Sequence, residues 1–341
     1  MRKLIEILSD GEFHSGDALG QALGISRAGI WQKIEKLADV GLIVHRVKGK
    51  GYRLEAPLEL LNSDNIQSAL NAINELPELN VDLHFDLEST NDLALSSAIL
   101  ENSHGKVILA EYQRKGRGRR GRQWLGSIAT NLYMSMIWHF HQGANQLSGL
   151  SLVVGVAIEQ ALKSLGVGDI QLKWPNDLMI SGQKLGGVLV EVSGDLNSHC
   201  AVVIGIGLNI KMSKQAIVEI DQPWIDLASA GYETLSRHQI VVAIIRSLAD
   251  CLKQFEAQGF AAFHQQWNQL NAFDHQRIKI QIGEKTLSGT CIGVDQSGGL
   301  KLNGVDGEDP NQHFVFHGGE IEPSEIHSLR PTDQNRWNQQ D

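Results

Sequence analysis

Residues 113–124 hold six cations and three glycines in twelve positions, a composition suited to binding an anion. Glycine lets backbone N–H groups approach a ligand closely, and arginine presents planar donors that fit a carboxylate or a phosphate. In an extended segment Arg117 and Arg119 point the same way, so we expect both to hold one ligand. Because its like charges repel, we expect this cationic segment to be disordered until an anion binds. An RNA-binding patch or a solvated charged run is the alternative, whereas a P-loop is excluded because no Gly-Lys-Ser/Thr follows.

Three predicted strands carry polar side chains where they begin or end. Residues 170–174 alternate between apolar and polar types, which is typical of a half-buried strand, and the apolar runs 188–192 and 201–206 predict two buried strands. Ligands commonly bind at the strand ends of α/β-type sheets, so these ends are candidate binding sites. The polar residues concerned are Lys173, Asn176, Asp177, Lys184 and Asn209.

The N-terminal region predicts a winged helix-turn-helix. Ser15 and Ser26 precede two apolar helical stripes separated by a glycine-containing turn, and residues 42–54 predict a hairpin with a basic turn. Residues 1–56 hold nine Lys/Arg and seven Asp/Glu, a net charge of +2, although the whole chain carries −9. We therefore expect DNA binding; a docking domain with a solvated basic hairpin is the alternative. The candidate DNA-binding residues are Ser26, Arg27, Trp31, Lys33, Arg46, Lys48 and Lys50.

Composition and length exclude several classes of protein. A chain of 341 residues with 42% hydrophobic and 20% charged residues is typical of a globular protein with two or three domains. No apolar run is long enough to span a bilayer, and the N-terminus lacks the features of a secretory signal. The three cysteines are odd in number and far apart, which argues against a disulfide framework and against a zinc ribbon. We therefore expect a cytoplasmic protein.

The sequence of residues 241–341 predicts a helical stretch that is followed by short strands. Residues 241–270 have helical periodicity, and the alternation in residues 278–282 begins a glycine-rich region typical of a small barrel. The polar residues 326–341 predict a disordered tail. Earlier in the chain, His139 and His141 alternate on a predicted strand; we interpret them as solvent-facing, and a metal pair is the alternative.

Five motifs in this order resemble one family, the bacterial bifunctional biotin protein ligases that also repress the biotin operon. The resemblance runs from about Gly11 to Ile321, nearly the whole chain. Lipoate ligases share the catalytic fold but are not expected to combine the cationic segment with a winged helix. The motifs are residues 88–91, 116–122, 173–177, 184–187 and 205–209.

The resemblance implies a multidomain α+β fold. Residues 1–62 would form the winged helix-turn-helix, residues 63–271 a class II synthetase-like biotin/lipoate ligase domain with α/β architecture, and residues 272–325 an SH3-like β-barrel. Residues 326–341 remain the polar tail. The strands around residues 138–141 and 191–194 are implied to lie at a sheet edge used for dimerisation.

The resemblance also implies the chemistry and the partners. Biotin and MgATP would give biotinoyl-5′-AMP and pyrophosphate, and a lysine of a biotin carboxyl carrier protein would then displace AMP. The adenylate would act as corepressor, favouring a homodimer that binds operator DNA. Alternatives are a ligase without regulatory DNA binding, a lipoate-type ligase, and a non-enzymatic transcription factor that senses a small anion.

The site residues implied by the resemblance fall into three groups. Lys184, Arg117 and Arg119 would be catalytic, and Asp177 and Asn209 are candidate Mg²⁺ ligands. In related chains an arginine often follows Gly-Gly-Glu-Ile, whereas here Glu322-Pro323 follows and Arg330 comes late, so an ATP contact from an arginine of this region is in doubt. Biotin would be bound by Ser89, Thr90, Asn91, Gln113, Gly116, Arg117, Lys184, Gly186 and Gly187. ATP and the adenylate would be bound by Arg119, Arg120, Arg122, Trp124, Lys173, Asn176, Asp177, Asn209 and Trp224.

Overall fold

The computed structural model describes residues 1–73, 78–100, 102–141, 143, 147–194, 200–212, 222–307 and 312–322. The predicted tail, 326–341, and Arg330 lie outside the described residues. None of the described helices is both long and apolar enough to cross a membrane.

The N-terminal domain contains three short helices and a hairpin, as predicted. Ser15 and Ser26 cap the second and third helices: their hydroxyls accept hydrogen bonds from the backbone N–H groups of Ala18 (3.1 Å) and Gly29 (3.2 Å). Gly24 has a φ of +67° in the turn between these helices, a conformation that costs glycine little. The elements are α1 Arg2–Leu8, α2 Gly16–Leu23, α3 Arg27–Glu35, β1 Val44–Val47 and β2 Gly51–Leu54.

The central domain is built on a mixed seven-stranded sheet. Its order is β3-β4-β5-β9-β8-β7-β6, in which only the β3–β4 pair is parallel. The strands are β3 Asn80–His84, β4 Lys106–Ala110, β5 Asn131–Phe140, β6 Ile170–Lys173, β7 Asp177–Ile180, β8 Gln183–Gly194 and β9 Cys200–Asn209. The helices are α4 Ser63–Asn71, α5 Thr90–Ser97, α6 Leu150–Ser164, α7 Arg237–Gln258 and α8 His264–Gln269.

Helices α6 and α7 bury their apolar faces in the core of the sheet. This core includes Val153 and Ile158 of α6 and Ile244 and Leu248 of α7, all fully buried. The prediction of a helical stretch over 241–270 is confirmed, although the stretch is interrupted after Gln258 by Gly259, whose φ is +65°.

The C-terminal domain is a five-stranded antiparallel sheet with the order β13-β12-β11-β10-β14. Buried side chains of this sheet, such as Ile280 and Leu302, belong to the same hydrophobic core as the central domain. The strand predicted from the alternation in residues 278–282 is confirmed, since these residues lie in β10. The elements are β10 Arg277–Ile282, β11 Lys285–Val294, β12 Leu300–Asn303, β13 His313–Phe316 and β14 Glu320–Glu322.

The strands expected at a sheet edge are interior in the strand order. β5 lies between β4 and β9, and β8 lies between β9 and β7, so the edge prediction is wrong for whole strands. However, β8 is longer than β7 and its register with β7 reaches only Gly187. Among the described residues, the outer side of β8 beyond Val188 has no strand partner, and this local edge is residues 189–194.

His139 is half-buried rather than solvent-facing. Its Nε2 atom is 3.0 Å from the hydroxyl of Ser103, and its backbone N–H donates to Nδ1 of His104 (3.1 Å). Burial lowers the pKa of His139. These contacts give His139 a structural role at the end of β5.

Candidate active site and DNA-binding surface

A cleft opens where the cationic segment meets the N-terminus of α5, the turn between β6 and β7, and the start of β8. The structure brings most of the predicted ligand-binding residues together here, although they come from four separate parts of the chain. Those that line the cleft are Ser89, Thr90, Asn91, Gln113, Arg117, Arg119, Arg120, Arg122, Trp124, Lys173, Asn176, Asp177, Lys184 and Gly187.

One end of the cleft is a chain of neutral polar groups. Thr90 donates its backbone N–H (2.7 Å) and its hydroxyl (3.0 Å) to the Gln113 side-chain oxygen. Ser135, from the otherwise apolar β5, donates to the Thr90 hydroxyl at 2.8 Å. Ser89 caps α5 by accepting the Asp92 backbone N–H at 3.3 Å. These bonds fix the side chains before any ligand arrives, which suits recognition of a neutral polar ring.

Arg117 and Arg119 hold different partners, so the prediction that they point together is wrong. Arg117 donates to both carboxylate oxygens of Glu191, at 2.9 and 2.8 Å, and pairs with Asp92 at 2.7 Å. Arg119 donates to the side-chain oxygen of Asn176 at 3.3 Å. Burial lowers the pKa of the Arg119 guanidinium, and the nearby Glu320 carboxylate opposes this shift. Arg119 makes no salt bridge among the described residues, so it is available to an anionic ligand.

Acidic side chains separate the like charges of the cationic segment. Arg120 lies 3.4 Å from Glu320, at the start of β14, and Arg122 pairs with the other oxygen of the same carboxylate. Lys115 pairs with Glu88 at 3.1 Å, and Arg114 pairs with Asp86. These pairs offset the repulsion on which the expectation of disorder rested, and disorder before an anion binds stays a prediction.

Lys184 lies at the centre of the cleft, against a carboxylate and an indole. Its Nζ atom is 2.8 Å from Asp177 Oδ1 and 5.6 Å from the ring centroid of Trp124. The two charged side chains are only 16% and 13% exposed. Nearby, desolvation lowers the pKa of Lys173. A bound anion would favour the charged form of Lys173.

Glycines at the floor of the cleft make room for Trp124. A Cβ on Gly207 would lie 2.4 Å from Cε2 of the indole, and a Cβ on Gly187 would lie 3.3 Å from Cζ3. The indole N–H is buried without a hydrogen-bond partner among the described residues. A buried donor without a partner is costly, so this N–H is a candidate ligand contact.

Four predicted site residues do not line the cleft. Asn209 lies behind it and donates its amide to the carbonyl oxygens of Ile225 (3.1 Å) and Lys184 (3.4 Å). Trp224 belongs to the segment that runs beside Lys184, whose backbone N–H donates to the Pro223 carbonyl at 3.0 Å. Asn209 and the segment that contains Trp224 therefore position the backbone of Lys184. The four are Gly116, Gly186, Asn209 and Trp224.

Sequence reasoning missed several residues of the cleft. Glu191 and Glu320 hold the arginines, and Ser135 completes the polar chain. Ser135 stands out as a polar residue within the apolar run of β5, which was a usable signal. The two glutamates carry no such signal, since their partners are 74 and 198 residues away.

The candidate DNA-binding residues differ in accessibility. Trp31 is 48% exposed on α3, and Arg46, Lys48 and Lys50 are exposed on the hairpin. Lys50 lies 5.7 Å from the ring centroid of Phe13, which helps to orient it. The other three are engaged or turned aside: Ser26 caps α3, Arg27 pairs with Asp17, and Lys33 lies close enough to the Met1 amino group to lower its pKa, in addition to burial.

Comparison with known proteins agrees with this division of the chain. Residues 84–209 match the Biotin/lipoate A/B protein ligase family, and residues 1–53 match an HTH domain family. The bifunctional ligase/repressor BirA of Escherichia coli (strain K12) is 40% identical over 302 residues, which cover 88% of this chain and 91% of that protein. The bifunctional ligase/repressor BirA of Bacillus subtilis (strain 168) is 28% identical over 309 residues, covering 90% and 94%.

A solved structure supports the same fold. The biotin protein ligase from Aquifex aeolicus in complex with biotin and ATP is 25% identical, with a TM-score of 0.60, and the match covers 71% of this chain and 97% of that one. A ligase fold with a cation-lined cleft, joined to a helix-turn-helix, defines a protein ligase that carries a DNA-binding domain. The chain belongs to the family of bifunctional ligase/repressors.

Proposed function

We propose that this protein joins biotin to a lysine of a biotin carboxyl carrier protein and represses transcription of the biotin operon. In the first step biotin and ATP give biotinoyl-5′-AMP and pyrophosphate. In the second step the carrier lysine attacks the acyl carbon, forms an amide and releases AMP. Through its N-terminal domain the protein binds operator DNA, with biotinoyl-AMP as corepressor.

The observation that carries the enzymatic half is the partly dry, cationic cleft around Lys184. Two anions, the biotin carboxylate and the α-phosphate of ATP, must meet for the first step to occur. At about 4 Å and an effective dielectric constant of about 20, two such charges repel by about 4 kcal/mol. The Lys184 ammonium and the half-buried Arg119 guanidinium supply positive charge against this repulsion.

Each end of the cleft suits one part of the substrates. The neutral chain of Ser89, Thr90 and Gln113 would hold the ureido ring of biotin, whose carbonyl and N–H groups need both donors and acceptors. Arg117 would release part of its pairing with Glu191 to meet the biotin carboxylate. Trp124 would cover the adenylate and exclude water that hydrolyses a mixed anhydride. The remaining cleft residues in contact with nucleotide would be Arg120, Arg122, Lys173, Asn176 and Asp177.

The cleft fits Mg²⁺ only as a companion of ATP. Among the described residues no cluster of three or more His, Cys, Asp or Glu side chains is placed to hold a metal ion. Mg²⁺ commonly binds through one or two carboxylates and the phosphates of the substrate, and Asp177 is the carboxylate beside Lys184 that would serve. When bound, the ion would neutralise phosphate charge. Asn209, behind the cleft, is the weaker candidate.

An acid panel in a pyrophosphate-exchange assay tests the enzymatic half. Labelled pyrophosphate is expected to enter ATP when biotin is present, because the polar end of the cleft matches a ureido ring. With lipoate, with octanoate or without an acid, incorporation is expected to fall to background. Exchange with lipoate instead would identify a lipoate-type ligase. No exchange with any acid would leave a transcription factor that senses a small anion.

The repressor half includes a physical link between the cleft and the DNA-binding domain. Ile128 and Ala129 follow the cationic segment directly, yet their side chains are part of the N-terminal domain's hydrophobic core. Ile128 also donates its backbone N–H to the carbonyl of Val40 at 3.1 Å. A ligand that shifts the cationic segment would therefore also shift contacts of the helix-turn-helix.

Homodimerisation of the adenylate-bound protein is part of the proposal. Residues 189–194 of β8 offer unpaired backbone groups, and Val192 within this edge is 42% exposed. Such an edge can pair with a second copy or with the carrier protein. A dimer would present two helix-turn-helix units to a palindromic operator.

A gel-shift titration tests the regulatory half. With a duplex covering the promoter of the protein's own biotin operon, binding is expected to tighten when biotin and ATP are both present, since only then does the corepressor form. Biotin alone and ATP alone are the controls. Equal affinity in all four conditions would contradict the corepressor role.

We infer the domain boundaries 1–62, 63–271 and 272–325 for this fold. The first is supported by Asn62, whose side-chain oxygen accepts the Asn65 backbone N–H (2.9 Å) and caps α4, the first helix after the hairpin domain. An SH3-like arrangement of the C-terminal domain is supported by its five short antiparallel strands. A class II synthetase-like catalytic domain is supported by the mixed seven-stranded sheet.

A further inference from the structure

We propose that Trp31 contacts DNA bases directly, reading the methyl groups of thymines in the major groove of the operator. This inference rests on the operator binding proposed above, and it assigns sequence specificity to a residue and a chemical group. Helix α3 is the second helix of the helix-turn-helix, the element that enters the major groove in this motif.

The position of Trp31 on α3 is set by the buried face of the helix. Ile30 and Ile34 pack in the core of the N-terminal domain, with exposures of 0% and 7%. At about 100° per residue, Ala28, Gln32 and Glu35 fall opposite the buried face, and Trp31 lies on the flank beside them, about 80° from the midpoint of Ile30 and Ile34. All four side chains are exposed. A face in this position lies against DNA when α3 enters the groove.

Trp31 does nothing for the fold that would explain its presence. It is 48% exposed and belongs to none of the hydrophobic clusters of the described residues. By contrast, Trp138, Trp174 and Trp267 are each at most 2% exposed. The exposed indole therefore gains little burial free energy within the chain and is available to a partner.

The charges of the N-terminal domain favour DNA as the partner. Arg46, Lys48 and Lys50 of the hairpin are exposed, and the wing of a winged helix-turn-helix is suited to contact phosphates beside the groove. The chain as a whole carries a formal charge of −9, whereas residues 1–56 carry +2, so the positive charge is local to this domain.

The outward face of α3 is suited to A·T base pairs. Arginine and lysine are the usual readers of guanine, but Arg27 is paired with Asp17. The thymine methyl is the apolar feature of the major groove, and an indole or the Ala28 methyl can cover it. Gln32 beside them is a side chain that pairs with adenine. The face therefore predicts half-sites in which thymines are specified through their methyl groups.

Replacing thymine by uracil in the operator removes only the methyl group and provides the test. Binding of the holo-protein, with biotin and ATP, is measured on the promoter duplex with thymines or uracils in the half-sites. The wild type is expected to lose about tenfold in affinity on the uracil duplex, equivalent to about 1.4 kcal/mol. Trp31→Ala is expected to lose a similar factor on the thymine duplex and to bind both duplexes equally. Trp31→Phe keeps an aromatic face, so its affinity for the thymine duplex is expected to lie between those of the wild type and Trp31→Ala.

Lys48→Ala is the matched control from the same domain. Lys48 would contact phosphate, so its removal is expected to weaken binding to both duplexes by the same factor and to leave the thymine preference intact. Biotinylation of the carrier by all variants reports that the chain is folded. Trp31→Ala with wild-type affinity, or with an undiminished thymine preference, overturns the inference. A Trp31→Ala variant that changes only self-association assigns the indole to a protein interface instead. A wild type that binds neither duplex overturns operator binding itself, and with it this inference.

Discussion

Lys184→Ala is expected to lower the rate of biotin-dependent pyrophosphate exchange by about 10²- to 10³-fold, the range seen when one charge-stabilising group is lost from a reaction centre. The ammonium lies 2.8 Å from Asp177 and is largely buried. Without it, the Asp177 carboxylate would remain in the cleft as a negative charge facing two anionic substrates. Repulsion therefore adds to the loss of stabilisation.

Lys163→Ala is the matched control for this variant. Lys163 is also a lysine paired with an acid, Glu159, but its side chain is 75% exposed and lies on α6. Its removal is expected to change exchange by less than about twofold, because the Lys163 ammonium is solvated and does not line the cleft. Transfer from preformed biotinoyl-AMP should be measured in parallel, since it separates the two chemical steps. Full exchange activity in Lys184→Ala would remove this residue from the mechanism.

Arg237→Met is expected to lower the free energy of unfolding by about 3–5 kcal/mol, because it leaves a buried carboxylate without its partner. Arg237 Nη1 lies 2.7 Å from Glu111 Oε2, and the two side chains are 5% and 3% exposed. The same guanidinium donates to the backbone carbonyls of Glu59 (2.6 Å) and Asn131 (2.9 Å). It therefore joins α7, β5 and the connection from the N-terminal domain.

Urea unfolding followed by tryptophan fluorescence measures this effect. Arg277→Met is the control: Arg277 pairs with Asp306 on the surface, where the side chains are 56% and 64% exposed, and the change is expected to stay within about 0.5 kcal/mol. Adding Glu111→Gln to Arg237→Met is expected to recover part of the loss, because the uncompensated charge is gone. Equal effects of Arg237→Met and Arg277→Met would contradict the buried-pair argument.

Local sequence determined the elements whose stabilising contacts are also local. The serine caps of α2 and α3 bond to N–H groups three residues away, so the pattern around Ser15 and Ser26 was sufficient to predict both helices. The hairpin followed from its basic glycine turn for the same reason. The positions of polar residues at strand ends predicted Lys173, Asn176, Asp177 and Lys184 of the cleft, whereas Ser89, Thr90, Asn91 and Gln113 were implied only by the resemblance to a family.

The partners of the charged side chains were decided only by the tertiary structure. Arg117 and Arg119 were expected to act together, yet Glu191 of β8 holds one and Asn176 of the β6–β7 turn lies beside the other. The strand order likewise places β5 and β8 inside the sheet rather than at the expected edge. The exception is the part of β8 that extends beyond its pairing with β7.

The physical reason is the distance along the chain over which each interaction acts. Helix caps, turns and periodic burial depend on residues that are close together in the sequence. The sequence alone therefore determined the secondary-structure elements and the kinds of side chains in the site. An ion pair depends on which acid arrives within about 4 Å after folding, and on how far water is excluded there. Nothing near Arg122 in the sequence indicates Glu320, 198 residues away; the packing of the C-terminal sheet against the cationic segment brings them together.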